Sequence, residues 1–385
     1  MSKKYSLTEE TICLDNKYTL YRIKAERNFN DVKKGELGGF VESENNLSHE
    51  GFCWIYNNAC VYNNAIVKDD AILKDDARLN ENACAYETAS IEGGVWIHGY
   101  SKIHGKASLS GYVQVWDNVE VYDEACIMDE VELYGNSQIY GCAKVKDLAI
   151  VSGNAIVCGN ANILGNANIS EHAQIYGNTK ICNSAKVYGQ AKVYGSVTVL
   201  GQPQIFDNAQ VYDKANILQN AKIYGKATIH GSATVTDNAN VSGKANIYGN
   251  AYVRENANIS GSVTIYDWAT IYGATFIKDS ARVCDKAKVY GTAWVKGTAS
   301  ILNDAEVFGS ATISGSACIS EKAKVYDNAR VYDDAQILGD AWVFEDADIG
   351  QGYIIEGNAQ VFGSVSLISE TEPVKIDGDM QVYHS

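Results

Sequence analysis

Residues 55–73 read I-Y-N-N-A-C-V-Y-N-N-A-I-V-K-D-D-A-I-L. An aliphatic residue returns at every sixth place, Ile55, Val61, Val67 and Leu73, and an alanine stands four places after each of the first three, at Ala59, Ala65 and Ala71. The beat runs without a slip to Leu367. Of its 53 positions, 52 are Ile, Val or Leu and the other is Ala85, and 39 of the 52 small-residue places from Ala59 to Val365 hold alanine. A repeat this strict overrides the two or three globular domains that 385 residues would otherwise suggest. Within a hexad the alanine, polar, aliphatic and outward residues alternate with the two-residue period of a strand, and a Gly-Asn or Asp-Asn pair supplies a bend. Each hexad is therefore predicted to be a short strand plus a corner. Glycine and asparagine suit the corner because both tolerate positive φ, and alanine leaves room where the walls converge.

The number of hexads per coil follows from the step at which outward residues align like with like. From Tyr86 a step of 18 gives His104, Tyr122, Tyr140, Cys158, Tyr176, Tyr194, Tyr212, His230, Tyr248 and Tyr266, whereas a step of 24 gives Ser110, Tyr134, Cys158 and Cys182. Three hexads per coil predict an all-β, single-stranded β-solenoid of triangular cross-section, with about 17 coils of 18 residues between Ile55 and Leu367. Stacked coils bury a column of aliphatics that no single hexad can bury alone.

The unit V-Y-G-N-A-K, aliphatic first and alanine fifth, resembles the hexapeptide-repeat superfamily of left-handed β-helices over more than four-fifths of the chain. The left hand is implied by that resemblance, because spacing leaves it open and ordinary parallel crossovers are right-handed. More narrowly, Y-T-L-Y-R-I-K-A (18–25), G-E-L-G-G-F-V-E-S-E-N-N-L-S (35–48) and C-W-I-Y-N-N-A (53–59) are similar to YdcK-like proteins of bacteria and their phages, a group labelled as transferases on fold alone.

An open solenoid exposes unpaired strand edges at both ends, which invite aggregation unless covered. Residues 1–50 break the hexad, carry β-type runs such as Thr19 to Ile23 and a glycine turn at Gly38-Gly39, and are expected to fold over the first coil as an N-terminal cap. Residues 51–368 form the solenoid. In residues 369–385, Pro373 ends the repeat and Asp377-Gly378 reads as the turn of a C-terminal cap hairpin.

The net charge of -15 and pI near 4.9 argue against a nucleic-acid backbone or an anionic membrane as partner, since both would repel the chain. No apolar run approaches the ~20 residues needed to span a bilayer, and no leader-like apolar stretch follows Lys3 and Lys4, so a cytoplasmic protein is expected. Ten cysteines without a C-x-x-C pair, and with no two in the repeat 18 apart, predict free thiols.

Acyltransferases of the superfamily generally set a histidine base beside a groove between subunits and often extrude a loop over the substrate. The unbroken step from 55 to 367 leaves no inserted loop, which removes one device for enclosing a reaction. His98 and His104 are the candidate general bases. They hold equivalent outward places on adjacent sides of one coil, so they face apart and share neither a metal nor a proton. Asp69-Asp70 and Asp75-Asp76 sit at successive corners and read as solvated surface, and no metal site is expected. The candidate binding residues are the outward tyrosines Tyr86, Tyr122, Tyr140, Tyr176, Tyr194, Tyr212, Tyr248 and Tyr266, followed on another side by Tyr272, Tyr290, Phe308, Tyr326, Phe344 and Phe362. Such columns stabilise neighbouring strands by stacking, and tyrosine is also enriched at interfaces.

Three functional readings follow. The first is a noncatalytic scaffold or binding protein that meets a protein partner, a ligand or further copies of itself through the aromatic columns, a trimer being one arrangement the resemblance implies. The second is an acyltransferase using acetyl-CoA or a similar donor; the first reading needs no cofactor. The third is an acidic mimic of DNA, or a phage-encoded inhibitor of a host enzyme. Mimicry requires continuous carboxylate rows, and the corner column Asp69, Glu87, Gly105, Asp123, Gly141, Gly159, Gly177 and Gly195 interrupts them.

Overall fold

The computed structural model describes residues 3–369 and 373–384, which fall into two units, Met1–Gln190 and Ala191–Ser385. Both are β-solenoids with an 18-residue coil made of three short strands. Among the described residues the one helical element is a single 3-10 turn, Glu44–Asn46, and no helix is long and apolar enough to cross a membrane.

The first unit opens with three longer strands, β1 (Tyr5–Leu14), β2 (Tyr18–Ala25) and β3 (Leu37–Val41). β1 and β2 pair antiparallel, Leu7 opposite Ile23 and Ile12 opposite Leu20, with an irregularity between Leu7 and Thr11. β3 pairs antiparallel with β2 and parallel with Cys60–Val61, Phe40 opposite Cys60. The meander thus hands its last strand to one solenoid face and covers that edge. The Gly38-Gly39 pair lies inside β3 and makes no turn. Backbones crowd there: a Cβ on Gly39 would stand 2.4 Å from the Ala59 carbonyl oxygen and one on Gly38 2.6 Å from that of Ile55. Asn46, 1% exposed, donates its amide to the Asn63 and Ala65 carbonyls at 2.9 Å each, and Asn63 N–H donates to Glu42 Oε2 at 2.6 Å.

Within each unit, from Trp54 onward, the strands pair in parallel with the strand one coil on, at a step of 18 up to the last two pairings. On the first face Arg78 stands opposite Trp96; on the second Cys84 stands opposite Lys102; on the third Ile72 stands opposite Ser90. The second unit repeats this, with Gln204 opposite Lys222, Gln210 opposite Thr228, and Asn216 opposite Thr234. In both units the six-step aliphatics and the alanines are the core, and Ile97, Ala107, Ile229 and Ala239 are wholly buried. Serine or threonine also fits the alanine slot: Thr179 Oγ1 donates to the Tyr176 carbonyl at 2.7 Å, whereas the buried hydroxyls of Ser137 and Thr275 find no partner among the described residues.

The corner is a four-residue turn closed by the alanine N–H, Ala59 to the Tyr56 carbonyl at 3.1 Å, and its second residue has positive φ, +53° at Asn57. That conformation costs an ordinary L-residue ~1 to 2 kcal/mol. Where glycine takes the corner, space also requires it: at Gly105 (φ +68°) a Cβ would lie 2.6 Å from the Asp123 nitrogen of the next coil.

The second unit ends differently from the sequence expectation. Val374–Ile376 pairs parallel with Tyr353–Ile355, and Gln381–His384 pairs parallel with Gln360–Gly363. The residues around Asp377-Gly378 therefore form another solenoid corner between two faces, and no hairpin forms. Gly378 (φ +66°) stacks over Gly357 as corner residues do elsewhere. The step widens to 21 here, and three residues inserted around Pro373 disguised the continuing hexad; residues 370–372 and 385 of the expected cap lie outside the described residues.

Candidate functional site

Each strand presents two outward slots, one on either side of its buried aliphatic. Strand pairing sets the coils ~4.8 Å apart, so rings in the same slot come into contact along the stack. In the first unit Tyr86 and His104 stack at 4.5 Å between centroids and 6° between planes, His104 and Tyr122 at 5.1 Å and 5°, and Tyr122 and Tyr140 at 4.8 Å and 8°. Cys158 interrupts the rings, and Tyr176 holds the same slot beyond it. Hydrogen bonding with Cys158, together with burial, pushes the Tyr140 phenol up to about 12.

In the second unit Tyr194, Tyr212, His230, Tyr248 and Tyr266 stack with centroids 4.7 to 5.0 Å apart and planes within 9°. Arg282 lies over the Tyr266 ring at 5.1 Å and donates to its hydroxyl. A second column joins Tyr272, Tyr290, Phe308, Tyr326, Phe344 and Phe362 and runs on to Tyr383, each pair 4.7 to 5.0 Å apart. Within it the Tyr290 hydroxyl donates to Glu306 Oε2 at 3.2 Å. Burial and that carboxylate hold the phenol well above its usual range.

These contacts decide what the columns can do. A ring packed between two parallel rings has no free face, so it cannot lie flat against a sugar or a base. Only ring edges and hydroxyls remain for solvent, and the eight candidate tyrosines are all partly buried. The columns are ribs that tie successive coils together and present ordered rows of edges.

The histidines divide. His104 is one member of the first rib, with Nε2 3.3 Å from Glu120 Oε1 and Nδ1 3.8 Å from Glu87 Oε2, so a carboxylate lies beside each nitrogen. His98 lies between Trp96 (4.4 Å) and Trp116 (6.4 Å). Burial holds its pKa below the ordinary value, which favours the neutral ring, but its Nε2 is covered and partnerless among the described residues. A covered nitrogen is not within reach of a substrate proton. A groove of the first unit lined by Glu42, Ser43, Asn63, Asn82 and Tyr100 among others contains neither histidine. Among the described residues no three His, Cys, Asp or Glu side chains converge as metal ligands would.

Two sets of residues escaped the sequence reading. The first is the other outward slot, which in the second unit carries Tyr252, Phe276, Trp294 and Trp342, each 37 to 38% exposed. Phe276 and Trp294 stack at 4.6 Å and 25°, Lys278 Nζ lies 5.3 Å over Trp294, and Lys324 Nζ lies 5.3 Å over Trp342. The 18-residue step from Phe276 to Trp294 was the signal in the sequence. The second set is the acidic corners. Asp117 accepts from Gly135 N–H at 2.9 Å, Asp147 from Gly165 N–H at 2.7 Å, Asp207 from Gly225 N–H at 3.0 Å and Asp279 from Gly297 N–H at 2.9 Å. Asp69 and Asp75, read as solvated surface, likewise accept from the Glu87 and Gly93 amides at 3.2 and 3.1 Å.

Comparison with known proteins adds a short match. The family model described as the YdcK Beta solenoid repeat matches residues 323–339, a stretch of the second unit. No curated protein sequence matches the chain.

Proposed function

We propose that this β-solenoid is a noncatalytic contact scaffold whose aromatic faces bind protein surfaces, in the first instance further copies of itself. The observation that carries this reading is the exposed aromatics on two faces of the second unit, Phe276 stacked on Trp294 on one face and Trp342 beside the Tyr326–Phe344 rib on another. Aromatic rings that a sheet already holds in place lose little further freedom on binding, which is why tyrosine and tryptophan concentrate at interface centres. A surface corrugated every ~4.8 Å is matched best by another of the same period, and a second copy supplies one. Sideways association, as a trimer or a dimer, is the expected arrangement, and the partner needs no cofactor.

Light scattering on the full chain at micromolar concentration tests this. The expected mass is a multiple of 41.8 kDa, falling to a single chain in the Phe276→Ala, Trp294→Ala, Trp342→Ala variant. A wild-type mass of one chain throughout the concentration range overturns self-association. Saturable heat on calorimetric titration with acetyl-CoA, weakened by His98→Ala, would transfer the reading to an acyltransferase.

A further inference from the structure

Lys4 is wholly buried, a rare fate for lysine, and so is Cys53. Lys4 directly precedes β1, and Cys53 lies at the start of the first full coil. The Lys4 amine donates to the Glu50 carbonyl at 3.2 Å and to the Cys53 carbonyl at 3.0 Å, and its nitrogen lies 3.1 Å from Cys53 Sγ. The Phe29 ring lies 5.6 Å from the nitrogen, and Trp54, itself buried, packs edge-on against Phe29. Burial lowers the Lys4 pKa and raises that of Cys53, so both directions favour a neutral amine facing a neutral thiol. A thiol of this kind resists peroxide, which attacks thiolates. Dioxygen is small and apolar and needs no solvent path.

We propose that Lys4 and Cys53 form an oxidative cross-linking site, in which dioxygen joins the lysine nitrogen to the cysteine sulfur through one bridging oxygen. The step is R–SH + R′–NH2 + O2 → R–S–O–NH–R′ + H2O. The S–H bond, one N–H bond and the O–O bond break, and S–O and O–N bonds form. Sulfur and nitrogen each give up two electrons and dioxygen takes all four. One oxygen stays as the bridge, the other leaves as water with two protons, and one hydrogen remains on nitrogen. Two equivalents of a dithiol reverse the reaction. The bridge fastens β1 to the first coil, so oxidation locks the N-terminal cap that covers the solenoid edge.

The test is intact and peptide mass spectrometry of the full chain, purified under nitrogen and then held in oxygenated buffer. The expected result is a gain of about 14 Da, one oxygen gained and two hydrogens lost, placed on a peptide linking Lys4 to Cys53 and removed by dithiothreitol. It should be absent from Cys53→Ser and Lys4→Arg. Because either variant could weaken the cap, alkylation of the denatured wild type gives a second readout: Cys53 should label only after dithiothreitol. Cys53 that labels fully without reductant after oxygen exposure overturns the proposal. So does a gain of about 16 or 32 Da at Cys53 that persists in Lys4→Arg, which is ordinary sulfur oxidation.

Discussion

At a corner, an acidic residue trades one energy against another. Asp117 holds φ +65°, at ~1 to 2 kcal/mol for a residue with a Cβ, and its carboxylate receives the Gly135 N–H at 2.9 Å, a bond to a charged acceptor that contributes ~1.5 to 3 kcal/mol. Glycine avoids the first term and forgoes the second, so acid and glycine are near equivalents at corners and alternate along them, whereas alanine has the cost without the bond. Asp117→Ala is accordingly expected to lose about 2 kcal/mol in urea denaturation and Asp117→Gly less than about 1; an alanine variant as stable as the glycine variant would show that the amide bond contributes nothing. Much of the acidity behind the net charge of -15 is thus corner structure. His98 supplies a pH dependence. Burial depresses its folded pKa below 6.5, so above that value both states are neutral and the stability is fully present. As pH falls below 6.5 the unfolded chain takes up the proton first, and stability declines until the folded ring is protonated too. His49 shifts in the same direction, also through burial. Thermal midpoints measured from pH 7.5 to 5 should fall less in His98→Phe than in the wild type, and equal slopes would remove His98 as a contributor.

Strand, rib and cap differ in how much of them the sequence displayed. The strands were legible because a buried aliphatic every six residues leaves almost no other arrangement, and the 18-residue coil was legible because stacked rings repay like neighbours, as Tyr122 on Tyr140 shows at 4.8 Å. The corner bonds were hidden because an acid at a turn looks the same in sequence whether water or an amide 18 residues away is its partner. The final two strands were hidden by a change of step from 18 to 21. In the cap, glycine usually signals a turn, and only the packing of β3 against Ala59 reveals that Gly38 and Gly39 permit close approach instead. Asn46 is the cap's clearest anchor, because two carbonyls that it satisfies, those of Asn63 and Ala65, belong to the coil below. Asn46→Ala leaves them without the amide, and the expected loss is about 2 kcal/mol by chemical denaturation. Amide exchange should quicken in 54–67 more than in 90–145; an unchanged midpoint would mean that water replaces the amide at no cost.

Within each unit every coil rests on the one before and the one after, so stability is a sum of coil and interface terms and need not be lost all at once. Pairing at a separation of 18 residues also keeps contacts near in sequence, which lets structure grow coil by coil from any formed pair. Ile229 tests this in the second unit, since it is wholly buried and stands between Val211 and Ile247 on adjacent coils. Ile229→Ala removes buried methyl groups and leaves a cavity, at a cost of ~2 to 5 kcal/mol. A nearest-neighbour stack confines that cost. Hydrogen exchange should accelerate by tenfold or more in peptides covering 205–253 and change little in 313–361, about six coils further on. The opposite limit is an all-or-none unit, for which both sets of peptides accelerate by the same factor, because global opening then exposes every amide together. The alanine at each corner favours the first outcome: a side chain that small makes few contacts beyond its own and adjacent coils, so a breach has little by which to propagate.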